Sequence, residues 1–134
     1  MACSFQKEKR FSPSLSRIRV LKIEQEGIDM PILCLQCDDA PCKAICPVRA
    51  ISRNSLEVIE IDPDKCIGCH ACVVICPFGA IKIDTRKDLL KCDLCNGNPA
   101  CVKWCPTKAI DYVPTERLDL SKKRRFLEKA VSPM

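Results

Sequence analysis

Residues 66–77 read Cys66-Ile-Gly-Cys69-His-Ala-Cys72-Val-Val-Ile-Cys76-Pro77, and this stretch decides the fold. The first three cysteines are each two residues apart, and the fourth follows the third after three more residues, directly before a proline. The proline fixes φ and removes a backbone N–H, so it ends the loop. Four thiols on so short a segment indicate that the chain wraps around a metal group.

Two further segments repeat this pattern on either side of the first. They are Cys34-Leu-Gln-Cys37…Cys42-Lys-Ala-Ile-Cys46-Pro47 and Cys92-Asp-Leu-Cys95…Cys101-Val-Lys-Trp-Cys105-Pro106. Each copy reads C-x2-C, a gap, C-x3-C-P, two residues and Ala-Ile, and the gap is four, two and five residues in chain order. Twelve of the 13 cysteines lie in these runs, and the remaining one is Cys3. An internal repeat of this kind indicates related structural units.

Composition explains why such a chain needs metal. It has 134 residues, of which 47% are hydrophobic, but that share includes the 13 cysteines, and only 4% are aromatic. A chain this short and this poor in large apolar side chains builds only a small core, and small cores are usually reinforced by disulfides or metal.

The sequence also excludes several classes of protein. No apolar run approaches the roughly 18 residues of a membrane helix, and Met1–Arg10 contains no signal peptide. We therefore expect a cytoplasmic protein, in which dense cysteine indicates metal rather than disulfides. The formal charge of +5 counts every cysteine as a neutral thiol, so it does not indicate nucleic-acid binding.

The middle run has the spacing with which bacterial ferredoxins hold 4Fe–4S clusters, where the fourth cysteine binds the other cluster of a pair. This crossover rule predicts one cluster on Cys34, Cys37, Cys42 and Cys76, and a second on Cys66, Cys69, Cys72 and Cys46. A third would take Cys92, Cys95 and Cys101 with one more cysteine. A zinc-binding interaction module is the alternative, but zinc sites separate their cysteine pairs more widely and often use histidine.

The segments between the runs predict an α+β fold. Strands are expected at Arg17–Glu24, Leu56–Asp62, Ile81–Asp84 and Asp111–Val113, each short and rich in β-branched residues. Cluster loop, helical turn and short strand then alternate in the pseudo-symmetric ferredoxin-like plan. We expect residues 1–114 to form the cluster-binding domain, and residues 115–134 to form a basic, amphipathic helical tail that docks on a partner.

Over about residues 1–113 the three runs resemble the iron–sulfur subunits of the dimethyl-sulfoxide-reductase and formate-dehydrogenase type, also called dicluster or polyferredoxin subunits. That family has a fourth cysteine group at its start, of which only Cys3 survives here. The sequence around Cys3 is similar to that of small subunits of tungsten aldehyde oxidoreductases. The resemblance implies three 4Fe–4S clusters and gives Cys3 as the last ligand of the third, which leaves Cys105 spare. The simpler alternative is that Cys105 closes its own run and Cys3 is free.

No catalytic constellation is visible, and a cubane with a cysteine on every iron has no open corner for substrate. We therefore expect a non-catalytic electron-transfer subunit. The resemblance implies a large molybdenum- or tungsten-pterin catalytic partner, together with further electron-carrier subunits, in an organism with anaerobic metabolism; the tungsten class is the narrower prediction. A free, soluble polyferredoxin shuttle is the alternative from another class.

Three residues beside the cysteines carry weaker predictions. His70 is expected to face solvent, with hydrogen bonding to a cluster as the alternative. Phe78 and Trp104 are expected to shield clusters, and for Trp104 an interface anchor is the alternative.

Overall fold

The computed structural model describes residues 1–113, and the predicted helical tail at 115–134 lies outside them. The elements are short and of both kinds, which gives the α+β class that the sequence predicts. In chain order they are α1 (Ala2–Glu8), β1 (Arg19–Ile23), a 3-10 turn (Glu24–Glu26), β2 (Ile28–Ile32), α2 (Pro41–Ala44), β3 (Ile51–Arg53), β4 (Ile59–Ile61), α3 (Ala71–Ile75), β5 (Lys82–Ile83), β6 (Leu89–Leu90) and α4 (Ala100–Lys103). None of these helices is long and apolar enough to cross a membrane.

The strands form three separate antiparallel hairpins, β1–β2, β3–β4 and β5–β6. Three of the predicted strands are present as β1, β4 and β5, and each is shorter than expected. The strand predicted at Asp111–Val113 is wrong, because those residues have no regular structure. A strand needs a hydrogen-bonded partner, and residues 1–113 provide none beside this segment.

The buried core lies between the last two hairpins and two helices. Its aliphatic members are Ile51 of β3, Ile59 of β4 and Ile81, each at most 3% exposed, and two cysteines pack against them. The α2 helix packs against α3, and α1 packs against α4. Cys42 and Cys72 are members of this core, so the core reaches two of the three cysteine runs.

The β1–β2 hairpin lies away from this core. It pairs Arg19 with Ile32 and Ile23 with Ile28, and almost all of its side chains are exposed on both faces. An isolated two-stranded hairpin is marginally stable in water. Its exposed apolar side chains therefore bear on what the protein binds.

Candidate metal centre

Four cysteines line a first cavity, which we call cavity A. They are Cys34, Cys37, Cys42 and Cys76. The first two lie on the loop after β2, the third lies on α2, and the last directly follows α3. Apolar side chains, among them Phe78 as expected, complete the wall together with Lys91, and the cavity holds about 350 Å³ of empty space including its open mouth.

A second set of four cysteines lines cavity B. They are Cys46, Cys66, Cys69 and Cys72. The first follows α2, the next two lie on the loop before α3, and the last is on α3 itself. This cavity holds about 310 Å³ of empty space, and apolar side chains from β3 and β4 form part of its wall. Each of the two helices thus brings one cysteine to each cavity.

Cavity C is lined by Cys3 together with Cys92, Cys95 and Cys101. Cys3 is buried on α1, which packs against α4, the helix that carries Cys101. Cys105 lies outside all three cavities. The structure therefore places Cys3, the ligand that the family resemblance implies, beside the other three cysteines. Cys105, the last cysteine of the third run, lies elsewhere.

Two salt bridges hold α1 over cavity C. Lys7 pairs with Asp93, and the Arg17 Nη2 atom lies 2.7 Å from the Glu8 Oε1 atom. The Arg17 guanidinium also lowers the pKa of Glu8 below its ordinary value, mainly through this hydrogen bond. The Arg17 backbone N–H donates to the Cys3 sulfur at 3.3 Å, so the same residue fixes both the helix and the thiol.

The three C-x2-C loops share one backbone feature. Their second intervening residue has a positive φ in each case: Gln36 (51°), Gly68 (67°) and Leu94 (53°). Only one of the three is glycine, so the other two accept the strain of a left-handed conformation. This turn brings the flanking cysteines to the same side of the loop.

The Cys-Pro-x-x-Ala segments explain why alanine follows at a fixed distance. The backbone N–H of Ala50 donates to the Cys46 sulfur at 3.3 Å, and that of Ala80 donates to the Cys76 sulfur at 3.4 Å. Both alanines are almost fully buried, so a larger side chain has no room there. Hydrogen bonds to sulfur are one of the means by which proteins tune iron–sulfur centres.

Burial raises the pKa of several cavity thiols. It raises the pKa of Cys92 to about 11, and it also raises the pKa of Cys42, Cys72 and Cys101. Metal ligation by these thiols must therefore displace protons. Cys105 differs, because hydrogen bonds from Thr107 and the Ala109 backbone lower its pKa.

The cavities fit a polynuclear group better than a single ion. Within residues 1–113, no group of three or more His, Cys, Asp or Glu side chains is arranged to hold one metal ion. A zinc site would need four ligands within about 2.3 Å of one ion. Four thiols spread around a cavity suit the separated corners of a cubane.

The side chain of His70 provides evidence for a bound group that does not depend on the cysteines. It lines cavity B, and its Nε2 atom is buried without any partner among the described residues. Buried polar atoms are normally satisfied, so each exception calls for an explanation. A sulfur-rich group in cavity B would supply the acceptor. The expectation that His70 faces solvent is therefore wrong for this atom.

The structure contradicts the expectation for Trp104 and identifies two further polar residues beside the cysteine sets. Trp104 is 76% exposed and lines none of the three cavities, so it shields no cysteine set. The Gln36 side chain donates to the Cys92 carbonyl at 2.8 Å and accepts from the Ile59 N–H at 2.9 Å. Lys91 is buried on the wall of cavity A. Sequence reasoning missed both, because Gln36 occupies a variable position between two cysteines and Lys91 lies just outside the third run.

Comparison with known proteins identifies an iron–sulfur family. The 4Fe-4S dicluster domain family matches residues 26–114. The electron transport protein HydN of Escherichia coli K12 is 38% identical over 133 residues, which covers 83% of this chain and 74% of the relative. An uncharacterized ferredoxin of Methanocaldococcus jannaschii is 40% identical over 111 residues, covering 82% of this chain and 65% of the relative.

A third relative is named as part of a larger enzyme. It is the polyferredoxin-like subunit of an aliphatic sulfonate oxidoreductase of Pyrococcus furiosus, 40% identical over 107 residues. The match covers 78% of this chain but 61% of that relative. For two of these three relatives, the chain thus spans less than two thirds of their length.

Proposed function

The chain belongs to the 4Fe-4S dicluster domain family, and from this premise we propose that it is an electron-transfer subunit with three 4Fe–4S clusters. It is an iron–sulfur protein of electron transport and is not itself a catalyst. A bound cluster of this kind supplies a reversible one-electron carrier. The chain's own residues hold the clusters and exclude water from them.

The observation that carries this proposal is the grouping of the cysteines. We assign four ligands to each cluster, as follows: Cys34, Cys37, Cys42 and Cys76 in cavity A; Cys46, Cys66, Cys69 and Cys72 in cavity B; Cys3, Cys92, Cys95 and Cys101 in cavity C. The shared backbone turns support a repeated cluster-binding unit. The orphaned Nε2 atom of His70 supports a sulfur acceptor in cavity B.

Direct connections between the cavities support a relay. The α2 and α3 helices each carry cysteines to both A and B. Gln36, which lies between two cavity A cysteines, donates to the carbonyl of Cys92 in cavity C. The three sites are therefore connected through short segments of the chain, which supports sequential electron transfer.

Iron and acid-labile sulfide analysis of anaerobically purified protein tests this proposal. Three clusters predict about twelve iron and about twelve sulfide per chain, with reduced-state EPR signals of interacting 4Fe–4S centres. About eight iron would remove one cluster from the proposal. About three zinc without sulfide would overturn it in favour of the zinc module.

We further propose that the partner is a molybdenum- or tungsten-pterin oxidoreductase subunit, with tungsten as the narrower proposal. The family resemblance supports this, and one relative is named as a subunit of an oxidoreductase. The exposed apolar side chains of the β1–β2 hairpin support a lasting interface: Val20, Leu21, Ile23, Ile28 and Met30. Large exposed apolar patches mark binding surfaces more often than free surface.

Purification of the chain from its native host distinguishes this subunit from a free shuttle. A subunit co-elutes in constant ratio with a large protein that contains tungsten or molybdenum by elemental analysis. A shuttle elutes alone as a stable monomer, and that result would overturn the proposed partner. The docking role of residues 115–134 and the cytoplasmic location stay predictions.

A further inference from the structure

Lys91 is a buried cation at the wall of cavity A. Its side chain is part of a residue only 8% exposed, and its ammonium donates to the carbonyls of Ile59 and, at 3.2 Å, Cys92. It lines the cavity formed by Cys34, Cys37, Cys42 and Cys76. Both of its acceptors are backbone carbonyls on separate segments, so its position is fixed from two sides.

No carboxylate within residues 1–113 forms a salt bridge with Lys91. The cations at cavity C differ, because Lys7 pairs with Asp93 and Arg17 pairs with Glu8. The wall of cavity B contains no lysine or arginine. Cavity A is thus the one of the three whose wall carries an unpaired positive charge.

A buried ammonium is costly unless an anion balances it, and carbonyl acceptors satisfy its hydrogen bonds without cancelling its charge. Four thiolates and the cluster they hold carry net negative charge. That charge grows when the cluster is reduced, because one electron enters from an external donor while no bond forms or breaks. A fixed cation nearby therefore stabilises the reduced form more than the oxidised form.

We infer that Lys91 sets the order of reduction along the chain: its fixed charge raises the reduction potential of the cluster in cavity A above that of the cluster in cavity B. This inference rests on the proposed function. An electron that reaches the protein then resides on cluster A in preference to cluster B. Lys91 binds no iron and acts on the cluster only through its charge.

The test is an EPR-monitored redox titration of the fully loaded protein, in which dithionite supplies electrons. Lys91→Met removes the charge, and Lys91→Arg keeps it. Lys65→Met is the matched control, because Lys65 also directly precedes a cluster cysteine but is exposed and paired with Asp62 at 2.8 Å. Signals of cluster A are identified separately from the spectral change in a Cys37→Ser variant.

We expect Lys91→Met to lower the midpoint potential of cluster A and to leave that of cluster B nearly unchanged. Lys91→Arg and Lys65→Met should both retain the wild-type order. An unshifted cluster A in loaded Lys91→Met would overturn the inference. Lys91→Gln repeats the measurement if Lys91→Met loses cluster A.

Failure of both neutral variants to load cavity A, while Lys91→Arg loads, would assign Lys91 a structural role and also overturn the inference. Wild-type protein without iron would instead refute the proposed function. The two failures are therefore distinguishable from iron content alone.

Discussion

Cys3 and Cys105 occupy opposite situations in the folded chain. Cys3 is buried in cavity C and accepts a hydrogen bond from Arg17, whereas Cys105 lies outside the cavities and bonds to Thr107 and Ala109. The crossover rule alone leaves both as candidates for the fourth ligand of the third cluster. A pair of single substitutions separates them.

We predict that Cys3→Ser abolishes the third cluster and that Cys105→Ser preserves it. Serine keeps the size of the side chain but removes the sulfur ligand. Iron content should fall from about twelve to about eight per chain in the first variant and remain near twelve in the second. The reverse pattern would assign the ligand to Cys105.

At the scale of elements, the turns after the cysteine-proline pairs store strain unequally. The third residue after each cysteine has a positive φ: Arg49 (52°), Gly79 (57°) and Lys108 (50°). Only Gly79 takes this conformation without penalty. Nothing lies within 4 Å of a Cβ built on Gly79, so strain in φ alone decides the effect of a substitution there.

We predict that Gly79→Ala speeds iron release in urea and that Arg49→Gly slows it relative to Arg49→Ala. A left-handed conformation costs a non-glycine residue about 1 kcal/mol, which corresponds to a change of up to about fivefold in rate. The rate is followed by the loss of cluster absorbance with an iron chelator present. Equal rates for Gly79→Ala and wild type would show that this turn carries no strain.

The Arg17–Glu8 salt bridge predicts that the stability of the α1 contact depends on pH. Its side chains are 13% and 19% exposed, and the lowered pKa of Glu8 means that the pair stabilises the folded protein above the ordinary pKa of 4.5. The stabilisation disappears as pH falls through the lowered pKa. We expect Glu8→Gln to cost about 1 kcal/mol at neutral pH.

The measurement is the rate of iron release in Glu8→Gln relative to wild type. The ratio should exceed one at pH 7 and approach one in acid, where Glu8 of the wild type is protonated. Asp29→Asn is the control, since that carboxylate is 63% exposed where it meets Lys22 on the β1–β2 hairpin. A ratio that stays constant across this range would contradict the assigned salt bridge.

On the scale of the whole molecule, the aliphatic core is too small to hold the fold alone. Removal of the clusters by reduction and chelation should therefore abolish most of the far-UV circular dichroism. Addition of iron and sulfide should restore it. An apoprotein with a native spectrum would show that the hairpins and helices are stable without metal.

The cysteine spacing anticipates which thiols share cavities A and B, because crossover is a local rule repeated along the chain. For cavity C it leaves the fourth cysteine open, and Cys3 follows only from the family resemblance. The buried Ala50 and Ala80 follow from the same motif. Lys91 could not be anticipated: the Lys-Cys dipeptide also occurs at Lys65, which is exposed. Its burial depends on the Ile59 carbonyl, 32 residues away, a contact that no local pattern contains.

The exchange of ligands between α2 and α3 has a consequence for biogenesis. Each helix must be seated before either A or B has its full set of four thiols, so a half-filled pair should be scarce during maturation. Cavity C takes cysteines from α1 and α4 instead, so it can receive its cluster independently of the other two. Maturation intermediates with a single cluster should therefore hold it in cavity C, and the clusters in cavities A and B should appear together.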